Sequence, residues 1–281
     1  MSDTDEPSGD AQTSLEFDEG RYVYCAVNAD DGATFAAEGL EGGDVSLVVR
    51  DGIGAVVQPV DSVFDSDDVT QVRSWLLDHQ GVVDDAAQRF GTPIPFRFDT
   101  ILKGGDATVR EWLDDHRSEL EDALEWLDGR WEYRVRVEWD EEAIADEILE
   151  ADGELRELAA RAETADEGTG FLLQKQYQQQ LSERLEQHRG AVEEQLHEAI
   201  EPHAVELQRS GGASVLSEED DDAGRETVAD LSLLADEADE EAIGDALEPY
   251  ADHGAYEVSY TGPWPPYSFA PEIGDGGGEG P

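Results

Sequence analysis

The stretch "RWEYRVRVEW", residues 130–139, alternates aromatic or branched side chains with charged ones. Such alternation is typical of a β-strand with one buried face. The elements predicted after this strand are helix from residue 140 with an interruption at 165–170, a long helix at 171–203, strands at 203–210 and 227–236, a short helix at 237–254, and a last strand at 255–262. This order, β-α-β-β-α-β, predicts a ferredoxin-like domain, an antiparallel sheet with helices on one face and one unusually long helix.

The first half of the chain predicts a separate unit of strands and helices. Its elements are a strand at 21–29, a hairpin at 44–60 that turns at Asp51-Gly52, a helix at 67–90, an extended segment at 92–102 and a helix at 106–129. The predicted fold class is therefore α+β with two domains. The predicted boundaries are a disordered acidic N-terminus at 1–18, an N-terminal α+β domain at 19–128, a C-terminal ferredoxin-like domain at 129–270 and a flexible tail at 271–281, with a mobile charged loop at 217–226.

The charge of the chain is extreme and spread along its whole length. The chain has 70 Asp and Glu residues and 18 Lys and Arg residues, which gives a formal net charge of −52. Self-repulsion of this size opposes a compact state in dilute salt, but a Debye length of about 3 Å at 1 M salt screens most of it. With 38% hydrophobic residues and six tryptophans, the composition favours a folded protein of a salt-rich cytoplasm, as in extremely halophilic archaea, over a disordered chain.

The same composition argues against several classes of partner and location. Without a basic patch we expect no nucleic acid and no membrane lipid as a partner. No apolar segment approaches transmembrane length, and the acidic start lacks the features of a signal peptide, so we expect a cytoplasmic protein. The single cysteine, Cys25, lies in an apolar strand-like run and is interpreted as a buried, inert thiol.

No motif in the sequence points to catalysis. Six histidines are scattered, and His197 and His203 would lie on different faces of a helix. Neither a phosphate-binding glycine loop nor a nucleophile motif is present. We therefore predict no enzyme, no catalytic or metal-binding residues and no cofactor; an unrecognised small-molecule enzyme remains the less favoured alternative.

Two segments differ in composition from the rest of the chain and are candidate contact surfaces. The stretch "QKQYQQQ", 174–180, is low in charge and predicts either a solvated helix face or a contact surface. The stretch "GPWPPYSF", 262–269, combines three prolines with three aromatic residues. Because it follows a strand directly and carries bulky aromatic side chains, we favour a structural cover over the sheet, with Trp264, Tyr267 and Phe269 packed down, over a free polyproline ligand.

Three segments together resemble the gas vesicle protein L and F family: "RYVYCAV" near the start, "TPIPFRFDTIL" near residue 100 and the terminal "GPWPPYSF". The resemblance covers residues from about 21 to 270, and the acidic composition is most similar to that of haloarchaeal members. The residues that carry the motif are Gly262, Pro263, Trp264, Pro265, Pro266, Tyr267 and Phe269, with Pro95 and Phe98 in the middle segment. The resemblance implies two α+β domains, the second ferredoxin-like, and a role without catalysis in gas vesicle formation.

The resemblance also implies the partners, which are other gas vesicle accessory proteins and the hydrophobic shell protein. The predicted function is a non-enzymatic accessory protein of gas vesicle assembly, cytoplasmic and associated with gas vesicles. The alternative is a self-associating scaffold or a minor vesicle component. Self-association through a coiled coil of the long helix is disfavoured, because the apolar residues of that helix are spaced mostly four residues apart rather than in heptads. The candidate partner-binding residues are Trp264, Pro265, Pro266, Tyr267, Phe269, Tyr177, Gln178 and Gln179.

Overall fold

The computed structural model describes residues 17–210 and 225–274. The predicted N-terminal disorder, charged loop and tail fall mainly on residues outside these ranges. The chain divides into two compact units, one up to Asp128 that also includes the segment from Ala270 onward, and one at Gly129–Phe269. Both are mixed α/β structures built on antiparallel sheets. Within the described ranges, no helix is long and apolar enough to cross a membrane.

The first unit contains six strands and three helices in its described part. The strands are β1 (Gly20–Asn28), β2 (Ala36–Glu38), β3 (Asp44–Arg50), β4 (Ile53–Val60), β5 (Ile94–Pro95) and β6 (Ile101–Lys103), and the helices are α1 (Val69–Phe90), α2 (Asp106–Asp115) and α3 (Arg117–Leu127). Their sheet has the order β2-β3-β4-β1-β5, and β6 also pairs with β1.

The hairpin predicted at 44–60 is confirmed. Arg50 pairs with Ile53, and the two residues between them, Asp51 and Gly52, have φ angles of 49° and 93°. Positive φ at both central positions is the geometry of the tight turn that matches strand twist, which is why an Asp-Gly pair serves here. The buried thiol of Cys25 on β1 is also confirmed, and burial raises the pKa of that thiol.

A buried polar network crosses the core of the first unit. The Tyr22 hydroxyl lies 2.8 Å from Nδ1 of His79, and the Tyr24 hydroxyl donates to Gln58 at 2.6 Å. Gln58 in turn donates to the Leu40 carbonyl, and the Leu40 amide donates to Tyr24. Because buried polar groups are costly when left unpaired, these bonds fix the loop at Leu40 and helix α1 against the sheet.

This network predicts a specific pH dependence of stability. Burial lowers the pKa of His79 to about 4, whereas an unfolded histidine titrates near 6.5. As pH falls through 6.5, the unfolded chain binds a proton that the folded chain does not bind until about pH 4. Between pH 7 and pH 4, His79 should therefore lower the free energy of unfolding by roughly 3 kcal/mol.

The measurement is the pH profile of unfolding free energy in molar KCl for the parent and for His79→Gln. The difference between the two profiles should change by roughly 2–3 kcal/mol over this window. His197→Gln removes an exposed histidine and is the matched control. Parallel profiles for the parent and His79→Gln would contradict the assignment of His79 as a buried neutral group.

The second unit follows the chain order of strand, helices, two strands, helix and strand. Its strands are β7 (Arg130–Asp140), β8 (Glu206–Arg209), β9 (Arg225–Asp236) and β10 (Tyr256–Trp264), and its helices are α4 (Glu141–Ala151), α5 (Gly153–Thr164), α6 (Glu167–Ile200) and α7 (Glu240–Ala251). The sheet order is β10-β7-β9-β8, and every neighbouring pair is antiparallel.

The alternation of β7 places its aromatic and branched residues in one core. Tyr133, Val135, Val137 and Trp139 are all fully buried. The helices supply the opposing side chains, which are Ile144 from α4, Val192, Leu196 and Ile200 from α6, and Ile243 and Leu247 from α7. The strand predicted at 130–139 is thereby confirmed, and its second face is turned away from this core.

Two predicted helices are interrupted at polar residues. The helix predicted at 106–129 breaks at His116, whose backbone is non-helical and whose Nδ1 bonds to the Trp112 carbonyl. The helix predicted from residue 140 breaks at Asp152, because its carboxylate accepts from the amides of Glu154 and Leu155 and starts a new helix there. The uninterrupted helices expected in these places were therefore wrong.

Candidate functional site

The second face of β7 carries a buried carboxylate that anchors the terminal stretch. Glu132 is only 1% exposed, whereas Arg134 and Arg136 on the same face are partly exposed. The Glu132 carboxylate accepts from both the amide and the hydroxyl of Ser268, each at 2.8 Å, and from Arg134 Nε at 3.2 Å. Charge-assisted hydrogen bonds of this kind are the strong ones in proteins.

The terminal stretch crosses the end of the sheet from one edge toward the other. Trp264, at the end of β10, pairs with Glu132 of the neighbouring β7. Four residues later, the Ser268 carbonyl accepts from Gln208, which lies on β8 at the opposite edge. The expected structural cover over this sheet is therefore confirmed in its path.

The residues of the terminal stretch differ in solvent exposure. Pro265, Pro266 and Phe269 are buried, and Tyr267 is partly buried. Trp264 is 42% exposed, and its indole lies 3.4 Å from the Thr261 hydroxyl. The expectation that Trp264 packs down was wrong: the two prolines and Phe269 hold the stretch in place, and Trp264 faces solvent.

A glycine is required where the stretch leaves the strand. Gly262 has a φ of +133°, a region that residues with a Cβ rarely adopt. A Cβ built there would lie 2.7 Å from Tyr133 Cδ1 and 2.9 Å from the Glu132 carbonyl oxygen. The close approach of Gly262 to β7 explains the first residue of the motif.

Helix α6 has a packed face and an exposed face. One stripe along the helix is packed, and all its residues are buried or partly buried: Leu173, Tyr177, Leu181, Leu185, His188, Val192, Leu196 and Ile200. Gln178 and Gln179 are exposed, whereas Tyr177 belongs to the packed stripe. Near the start of the helix, Phe171 and Leu172 are 61% and 67% exposed. Two large apolar side chains thus stand side by side in solvent.

The two candidate regions are also the longest parts of the sequence without a carboxylate. Residues 168–182 contain no Asp or Glu, and neither do residues 258–271. With 70 acidic residues among 281, a carboxylate is expected about every four positions, so these runs of 15 and 14 residues are unusual. Both lie mainly in the second unit, and both present exposed side chains.

His188 and His253 form pairwise structural contacts. His188 Nε2 lies 2.8 Å from the Tyr256 hydroxyl, its ring stacks on Trp139, and burial lowers its pKa. His253 lies 3.6 Å from Glu147. In the described part of the chain, no group of three or more His, Cys, Asp or Glu side chains could hold a metal ion.

Sequence reasoning missed Glu132. Its position in the alternation of β7 places it on the second face, where a solvated glutamate is the ordinary expectation. The return of the chain at Ser268 supplies its hydrogen-bond donors, and that contact spans 136 residues. Nothing in the sequence distinguishes Glu132 from the many other glutamates, so its role as the acceptor for Ser268 was not predicted.

Together, these observations define a two-unit α/β protein whose distinguishing features are two carboxylate-free segments with exposed side chains. Residues 20–271 match the model of the gas vesicle synthesis protein GvpL/GvpF family. The chain belongs to this family.

Known proteins agree with this assignment over most of the chain. Gas vesicle protein L1 of Halobacterium salinarum is 40% identical over 257 residues, which cover 91% of this chain and 92% of that protein. Gas vesicle protein L of Haloferax mediterranei is 34% identical, with 91% and 89% covered. The crystal structure of GvpF from Anabaena sp. PCC7120 has the same fold, with a TM-score of 0.70 at 18% identity, covering 91% of this chain and all of that one.

Proposed function

We propose that this chain is a non-enzymatic accessory protein of gas vesicle assembly that works in a salt-rich cytoplasm and associates with gas vesicles. It binds other gas vesicle proteins: accessory proteins, the hydrophobic shell protein, or both. Family membership over residues 20–271 supports a role in gas vesicle formation. The names of the relatives from Halobacterium and Haloferax support a gas vesicle protein of the L type.

One observation supports the proposal: the two longest carboxylate-free runs of a chain with a net charge of −52 both present exposed side chains. Burying a carboxylate in an interface costs several kcal/mol unless it is paired. A partner can cover Trp264 or the glutamines of α6 without that cost, while the remaining carboxylates keep the complex hydrated and soluble.

The architecture that we infer for the second unit is the ferredoxin-like domain. The strand order β10-β7-β9-β8, with one helical connection after β7 and another after β9, supports this inference. In this arrangement α6 and α7 cover one face, and the terminal stretch lies on the other. The two carboxylate-free surfaces are then presented by one domain.

The test is affinity purification of the tagged chain from its host in molar KCl, with mass spectrometry of the proteins recovered. The parent should recover gas vesicle proteins. Trp264→Ala combined with Gln178→Glu and Gln179→Glu should recover at least about tenfold less, because it removes an aromatic anchor and introduces charge into a contact.

The matched control introduces the same charges on another helix. Gln71 and Gln88 are exposed on α1, so Gln71→Glu with Gln88→Glu should leave recovery unchanged. Unfolding midpoints should agree among all variants, since every altered side chain is at least partly exposed. A parent that recovers no gas vesicle protein would contradict the proposed function.

A further inference from the structure

A cluster of exposed side chains near the start of α6 has the composition of a docking surface. We call it the α6 patch: Phe171, Leu172, Lys175, Gln178 and Gln179, all exposed. The Lys175 ammonium lies 5.2 Å from the centre of the Phe171 ring, so its aliphatic stem extends the apolar area. Among the described residues, few large apolar side chains are as exposed as Phe171 and Leu172.

The patch lies on one helix of a packed helical pair. Helix α5 runs antiparallel to the first half of α6, because Asp152 before α5 bonds to Arg184 at 2.9 Å while Ala162 near its end approaches Gly170. Leu155 and Leu158 of α5 are buried. All five patch residues are exposed, so none of the described elements of the second unit covers them.

Charge around the patch indicates what could cover it. Within residues 168–182 the only charged side chain is Lys175, and carboxylates border the run on both sides, at Asp166 and Glu167 before it and at Glu183 after it. A complementary surface therefore has an apolar centre without carboxylates and cationic side chains at its two ends. The net charge of −52 also disfavours a strongly acidic partner.

We propose that the α6 patch docks an amphipathic helix of another gas vesicle protein, with an apolar face free of carboxylates and with Arg or Lys near both ends. This proposal rests on the proposed function and narrows it to one surface and one kind of partner. Phe171 and Leu172 insert into that apolar face, and the glutamine amides bond to its polar edges. A second copy of this chain fits poorly, because carboxylates border the patch on both copies.

The experiment uses the full tagged chain in molar KCl with the double variant Phe171→Ser/Leu172→Ser. Recovery of at least one gas vesicle protein should fall about tenfold or more relative to the parent. The matched control is Val69→Ser/Leu77→Ser, which removes two similarly exposed apolar side chains from α1. Circular dichroism should show the same unfolding midpoint for the parent and both double variants.

The partner segment at the patch is identified by replacing Gln178 with a photo-crosslinking phenylalanine derivative and sequencing the crosslinked peptide. A segment of a gas vesicle protein with an apolar, carboxylate-free helical pattern and basic ends supports the proposal. A peptide from this same chain, or one rich in carboxylates, overturns it.

The two proposals fail in different ways. If the parent and Phe171→Ser/Leu172→Ser recover the same gas vesicle proteins equally, docking at the patch is wrong and the proposed function stands. If the parent recovers none, the proposed function fails, and this inference fails with it.

Discussion

Lowering KCl from about 2 M to about 0.2 M is expected to lower the midpoint of thermal unfolding by roughly 10 °C or more. The Debye length grows from below 3 Å at molar salt to several ångströms, so the charges behind the net −52 begin to repel one another across the surface. A loss of several kcal/mol corresponds to such a shift for a chain of this size.

Exposed ion pairs have the opposite salt dependence, because screening weakens their attraction. The size of this attraction must therefore be compared with the repulsion among the carboxylates. Pairs such as Arg117–Glu121, at 2.8 Å, strengthen as salt is removed, but surface pairs contribute only about 0–1 kcal/mol each. With 70 carboxylates and 18 cationic side chains, most carboxylates have no cation to pair with. Repulsion should therefore dominate.

Thermal unfolding followed by circular dichroism across a KCl series measures this effect. Sucrose at matched osmolarity stabilises compact states without screening charge and is the control. An unfolding midpoint that is independent of KCl, or that sucrose raises as much as KCl does, would contradict adaptation of the surface to salt.

Replacing Glu132 by alanine is expected to lower the free energy of unfolding by about 2–4 kcal/mol. The substitution removes the acceptor for the amide and hydroxyl of Ser268 and for Arg134. The Ser268 amide would then be left without its partner against the sheet, although Arg134, which is 43% exposed, can turn to water. The terminal stretch should detach before the rest of the unit unfolds.

Urea or guanidinium unfolding in molar KCl, together with hydrogen exchange at residues 264–269, measures this loss. Glu138→Ala changes a less buried glutamate on the same strand and should cost well under half as much. Glu132→Gln should be intermediate, since an amide keeps one acceptor but cannot replace both carboxylate oxygens. Equal losses for Glu132→Ala and Glu138→Ala would mean that the anchor has been misassigned.

Local patterns were sufficient to predict some of the regular elements. The alternation of 130–139 and the Asp51-Gly52 turn each depend on a few neighbouring residues, and both are confirmed. The helix breaks at His116 and Asp152 were missed, because a side chain there competes with the helix for backbone hydrogen bonds, and the apolar period shows no sign of this.

The candidate surface was predictable only in outline. Low charge and aromatic content directed attention to 174–180 and 262–269, but exposure depends on distant contacts. Glu132 and Gln208 decide how residues 264–269 lie on the sheet. Pro265 and Pro266 are therefore buried, whereas Trp264 is exposed. Phe171 and Leu172 begin the helix predicted at 171–203, and the sequence pattern did not predict that both would be exposed.

The most direct test of the account is gas vesicle yield in a host that lacks this chain and is supplied with variants of it. Pressure-sensitive turbidity of the cells would be measured for the parent, for Trp264→Ala/Gln178→Glu/Gln179→Glu and for Gln71→Glu/Gln88→Glu, all at equal folded amounts. The account predicts that the parent and the α1 control restore vesicles and that the triple variant does not. Full restoration by the triple variant would contradict the claim that this protein acts through its carboxylate-free surfaces.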